Sequence, residues 1–179
     1  MRRRSFLHYL LEMIVILGYL VLGITVITFI FQKISIDKVF IGSLVLAMGV
    51  LELTDFVTWK YATKIRSMQS FISAIVCIAL GFVLMFVKME AKTLCYFLGA
   101  FNIAFALARI STASINLAYQ PLINSVRIVL SITRIVFAIL LLARNVNAIN
   151  SFILFLGVAF VIEAVILFIE FMIHRYQRL

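Results

Sequence analysis

The chain has 179 residues, 65% of them apolar and 13% charged, with a single Pro and a formal net charge of +9. Soluble domains carry about 45–50% apolar residues, and a small globule keeps too much surface exposed to hide such an excess, so the composition argues for a lipid solvent. The basic residues are scattered between apolar runs with no stripe of interleaved aromatics, which argues against nucleic-acid binding, and Cys77 and Cys95 both lie inside apolar runs, which argues against a disulfide framework or a CxxC site.

At the N-terminus, Arg2, Arg3, Arg4, Ser5, Phe6 and Leu7 look like the core of a twin-arginine export signal. No small-x-small cleavage site with Ala follows, and five more apolar runs come after, so the segment reads as a basic anchor of an uncleaved first helix. A helix needs about 20 apolar residues to cross a hydrocarbon core. Six runs qualify, at 7–31, 39–59, 68–88, 94–112, 123–143 and 150–172. The breaks at 32–38, 89–93 and 144–148 are short enough for tight hairpins; those at 60–67 and 112–122 are longer, and Pro121 ends any helix running into it. The expected fold is all-α: one transmembrane domain over 1–179, a polytopic six-helix bundle made of three parallel tandem helical hairpins.

Lys and Arg in the breaks set the direction of insertion. One side holds Arg2, Arg3, Arg4, Lys60, Lys64, Arg66, Arg109, Arg127, Arg175 and Arg178, against Lys33, Lys38, Lys88, Lys92 and Arg144 on the other. This bias places both termini in the cytoplasm, with Tyr9, Trp59, Tyr61 and Tyr176 near the inner headgroup layer.

The hairpins share a register. Each second helix has an early Gly (Gly42, Gly99, Gly157) and a small residue seven further on (Gly49, Ala106, Ala164). Each first helix has a small residue 18 or 19 positions before that Gly: Gly23, Gly81 and Ala138. Six of the seven glycines fall on these points, which reads as one supersecondary unit repeated over about 7–59, 68–112 and 123–172. Small residues on one helix face allow close backbone approach, the main source of helix association in lipid. Every hairpin starts and returns on the same side, so the repeats are parallel, unlike the inverted repeats common in alternating-access transporters. A closed pseudo-three-fold bundle is the expected arrangement.

Ionisable groups inside a membrane are costly and need partners or water. In the shared register Glu12, Ser70 and Arg127 occupy equivalent positions, as do Glu52, Arg109 and Leu167. Equal depth in a closed ring suggests Glu12–Arg127 and Glu52–Arg109 ion pairs. Arg134 and Glu163 are the deepest charges and form a third candidate pair, while Asp55 and Glu170 lie nearer the inner surface, where water can reach them. His8 and His174 are the only histidines and sit at the inner surface, so a metal site or histidine relay is not expected, and no cofactor motif is present.

The whole chain, from Leu17–Gly18 and Leu22–Gly23 through Phe155, Leu156, Gly157 and Glu163, resembles the HdeD-like family of bacterial membrane proteins, built from a short repeated two-helix unit. The resemblance implies a non-enzymatic protein of the bacterial cytoplasmic membrane, tied in some members to acid or envelope stress, and it carries over no catalytic residues. Two other readings stand beside it. One is a small transporter or channel with a polar path near Arg134 and Glu163. The other is a lipid-directed enzyme using Glu52 and Asp55, three residues apart on one helical face. The expected surroundings are the bilayer and a membrane-protein partner or a second copy of the chain.

Overall fold

The structure, a computed structural model, describes residues 6–32, 37–59, 64–118, 120–143 and 148–176, with side chains described over 9–32, 37–57, 68–118, 120–143 and 149–173. These residues form six helices: α1 (Phe6–Phe31), α2 (Lys38–Trp59), α3 (Lys64–Phe86), α4 (Ala91–Ile115), α5 (Pro121–Leu142) and α6 (Ala148–Tyr176). Each is long and apolar enough to span a membrane, and within the spans only 28–44% of residues are buried by the protein itself. The remaining apolar surface, with Val21, Phe31 and Leu122 at 60%, 75% and 80% exposure, needs a hydrocarbon surrounding rather than water. The protein is a multi-pass membrane protein. Several helices run a turn beyond the apolar stretches that announce them: α3 begins at Lys64 and α6 reaches Tyr176. Apolarity marks the segment inside hydrocarbon, whereas the backbone hydrogen-bond ladder continues into the headgroup layer.

Local chemistry sets the helix starts. Asp37 caps α2, its Oδ1 accepting the Phe40 N–H at 2.8 Å. Pro121 occupies the first turn of α5, where its missing N–H costs nothing. Asn124 donates from Nδ2 to Gln120 O at 3.0 Å and to Asn116 O at 2.8 Å, tying the end of α4 to the start of α5.

Consecutive helices run antiparallel. Phe29 near the end of α1 stacks on Phe40 near the start of α2, and Phe56 of α2 meets Phe71 of α3 with tilted rings, both pairs at 4.9 Å between ring centres. Tyr9 of α1 packs edge-on against Phe171 of α6 at 6.2 Å, so the first and last helices share one face of the bundle, the terminal face. Trp59, Tyr61, Tyr176, His8 and His174, expected at this interface, lie outside the described side chains.

Chain connectivity makes α1–α2, α3–α4 and α5–α6 the hairpins, yet the closest packing lies between hairpins. The tight pairs are α2·α3, α4·α5 and α1·α6, and the hairpin partners touch more loosely. Tight and loose seams alternate and close a ring, with α1 against α6, rather than leaving an open row. The tight pairs meet at the small-residue points. A Cβ on Gly23 would lie 2.8 Å from Gly157 O, one on Gly42 3.0 Å from Gly81 O, and one on Gly99 2.8 Å from Ala138 O. Gly49 lies in the α2·α3 crossing as well, 2.9 Å from Ile78 N by the same measure. Backbone against backbone is the contact lipid cannot supply, so helices not held by a short loop depend on it.

Buried residues divide by depth. Val26, Ile41, Leu44, Leu98, Leu141 and Phe152 seal the half away from the termini with apolar side chains. The terminal half buries Glu12, Glu52, Asp55, Ser70, Asn124 and Glu170.

Candidate functional site

Five charged side chains in the terminal half join into one chain of ion pairs. Arg109 on α4 bridges Glu52 on α2 through Nη2 and Glu163 on α6 through Nη1, the latter at 3.1 Å. Arg127 on α5 reaches the same Glu163 at 3.3 Å and forks onto both oxygens of Glu170, at 2.9 and 3.1 Å. The sequence Glu52–Arg109–Glu163–Arg127–Glu170 therefore ties α2, α4, α5 and α6 together. Tyr19 of α1 adds a fifth helix by donating its hydroxyl to Glu52 Oε1 at 3.1 Å. Two hydroxyl-donated links lie nearby: Ser70 Oγ donates to Asp55 Oδ2 at 2.9 Å, and Thr112 Oγ1 donates to Gln69 Oε1. A planar guanidinium suits this role because its donors can serve two carboxylates at once.

The expected Glu52–Arg109 pair is present. Arg127, expected opposite Glu12, makes its bridges to Glu170 and Glu163. The reason is register: Glu170 lies 13 residues after Gly157 and Asp55 lies 13 after Gly42, and the Ser70–Asp55 bond shows that this position has the depth of Glu12, Ser70 and Arg127. Helix α6, the hairpin partner of α5, then offers Glu170 directly. Glu12 is buried in α1, on the far side of α6. Asp55 and Glu170, expected to be wet, are buried at 9% and 2% exposure. Arg109 and Arg127, counted as loop charges in the reading of orientation, sit inside helices instead.

Arg134 does not take Glu163, which Arg109 and Arg127 already hold. It lies 13 residues from Pro121 and eight from Leu142 in α5, about 20 Å and 12 Å along the helix at 1.5 Å per residue. Its guanidinium stacks on the Phe105 ring at 4.6 Å from the centroid, with Arg109 over the same ring at 5.3 Å. Arg134 is 8% exposed, and among the described residues it makes no hydrogen bond and no ion pair.

These residues surround a cavity of about 50 Å³ lined chiefly by α5 and α6, two helices joined along a loose seam. Its wall follows the register. Tyr19 and Arg134 each lie four residues before a small-residue point, and Met48, Phe105 and Glu163 each lie six after one. The cavity thus occupies one layer across the ring, between the polar terminal half and an apolar pocket lined by Ile41, Leu44, Leu98 and Phe152, which Arg134 also touches. Sequence reasoning missed Tyr19, Phe105 and Glu170 as participants. Counting all positions from the glycine points, not the charged ones alone, brings out each of them.

Among the described residues no cluster of three or more His, Cys, Asp or Glu side chains could hold a metal. Cys77 and Cys95 are buried and unpaired. Comparison with known protein families, with curated proteins and with solved structures finds no match to this chain.

Proposed function

We propose that this protein is a non-enzymatic, multi-pass protein of the bacterial cytoplasmic membrane, of the HdeD-like type, with both termini inside and a part in acid or envelope stress. The observation that carries the non-enzymatic reading is the closed Glu52–Arg109–Glu163–Arg127–Glu170 chain. It engages the carboxylate that a lipid-directed reaction would need, and Asp55 accepts from Ser70. Buried ion pairs of this kind fix which helices meet and at what depth, even where they add little net stability. The common register of the three tight crossings supports reading the chain as three copies of one two-helix unit. The stress assignment is supported by the resemblance in sequence alone. Deleting the gene and scoring survival after acid challenge tests it, with complementation by the wild type and by Arg109→Ala. Equal survival of deleted and complemented strains removes the stress role. A reporter at residue 179 tests the topology: activity in the periplasm reverses it.

A second reading, a small transporter, is supported by Arg134 facing a cavity without a carboxylate partner. Cysteine scanning over 127–138 and 156–170 with a polar thiol reagent separates the two. Labelling at the depth of Arg134 favours transport, and its absence favours the sealed bundle.

A further inference from the structure

We infer that the cavity beside Arg134 is a binding site for one small monovalent anion of the halide or nitrate class. The inference goes beyond the role proposed above and stands whether or not the bundle moves a solute.

The cavity has one cationic donor group without a carboxylate partner among the described residues. Arg134 lines it with a guanidinium that has no hydrogen-bond or ion-pair partner among the described residues and stacks on the face of Phe105; the residue is 8% exposed. Arg127, on the same wall, is held by Glu163 and Glu170, and its unpartnered Nε is enclosed by protein. Arg109 supplies a third cationic side chain to the lining. The polar hydrogens of the other lining groups are directed elsewhere: Tyr19 donates to Glu52, and Ser131 donates to Arg127 O. Unpaired buried donors cost more than paired ones return, and an arginine cannot relieve the cost by losing its proton.

Size and charge narrow the occupant. A water needs about 10–15 Å³ of such space, so a cavity of about 50 Å³ holds a few waters, or one small ion with a water or two. Met48, Leu130, Phe155, Ala159 and Phe160 make much of the wall apolar, so the Arg134 charge, the one without a carboxylate among the three lining arginines, is poorly solvated there. Water can accept the hydrogen bonds but brings no counter-charge, whereas an anion does both. A divalent anion loses on desolvation, which rises with the square of the charge, and phosphate or a larger oxyanion loses on volume as well. Glu163 lines the same cavity and opposes an anion, although both Arg109 and Arg127 hold it. That opposition gives the test a second sign.

The full-length protein in nanodiscs is titrated with sodium bromide and sodium nitrate, with sodium gluconate at matched ionic strength as the oversized control. The expected result is a saturable rise in melting temperature with bromide and nitrate and none with gluconate. Arg134→Lys keeps the charge but loses the planar fork, and weakens bromide binding by about tenfold, the worth of a hydrogen bond to a charged group. Glu163→Gln removes the opposing charge and tightens binding by at least about tenfold. A purely structural Glu163 gives no tightening. Anomalous diffraction from bromide-grown crystals of the wild type decides the matter without any variant. A bromide peak against the Arg134 guanidinium supports the site, and bromide found only on the protein surface, with water in the cavity, overturns it.

Discussion

Replacing Gly81 by Ala tests how the tight crossings are held. The new Cβ would lie 2.8 Å from Leu46 N and Leu46 Cβ and 2.9 Å from Leu46 Cα. Carbon atoms in contact prefer about 3.5–4.0 Å, so the two helices must part by roughly 0.7 Å or more. Two of the three opposing atoms are backbone, so no rotamer change relieves them. The same crossing seats Gly42 against Met85 N and Gly49 against Ile78 N, so separation loosens those contacts too. Overpacking of this sort costs about 1–3 kcal/mol, offset by about 1 kcal/mol for a better helix former than Gly. Gly18 is the internal control. A Cβ there meets only the branched end of the Leu51 side chain, which can turn away. Gly18→Ala is therefore expected to be neutral or slightly stabilising, leaving a gap of about 2 kcal/mol between the two variants. Unfolding in mixed micelles by titration with SDS, followed by circular dichroism, measures the gap. Equal stability of Gly81→Ala and Gly18→Ala refutes the claim that backbone contact at the glycine points holds α2 to α3.

Further expectations concern the charges and thiols. Among the described residues, Arg109→Ala strips Glu52 of its only ion-pair partner and takes one ion pair from Glu163, so it costs about 3–5 kcal/mol, read as lost yield of folded protein. Glu52→Gln costs less, because Arg109 keeps Glu163; a greater loss from Glu52→Gln than from Arg109→Ala refutes this ranking. A charge exchange of Glu52→Arg with Arg109→Glu gives incomplete rescue, since the new carboxylate faces Glu163; full recovery of yield shows that the Glu163 contact is unimportant. Ser70→Ala takes the hydroxyl donor from buried Asp55 and lowers stability by about 1–3 kcal/mol, measured by the same SDS titration. Cys77 and Cys95 have no accessible surface, so a polar maleimide leaves both unlabelled in the native protein and modifies both after denaturation, by mass spectrometry; native labelling of Cys77 contradicts the closed core at α2·α3.

Much of this architecture is written in one dimension. Apolar runs as long as a bilayer is thick determine six helices, because each span must satisfy its own backbone hydrogen bonds and side chains must match hydrocarbon. Asp37 and Pro121 mark helix starts through chemistry that acts within a turn. The Glu52–Arg109 pair is legible too, since both residues sit ten after their glycine points and position along a helix converts directly into depth. Tertiary structure decided which side chains at one depth face each other. Glu12 and Glu170 share the layer of Arg127, and only the placement of α6 beside α5, with α1 beyond it, delivers Glu170. Arg134 and Glu163 share a layer as well, yet Phe105 comes beneath one guanidinium while two others occupy the carboxylate. Depth is a property of one helix and its solvent, whereas azimuth is set jointly by all six helices packing around the ring, and no single stretch of sequence contains it.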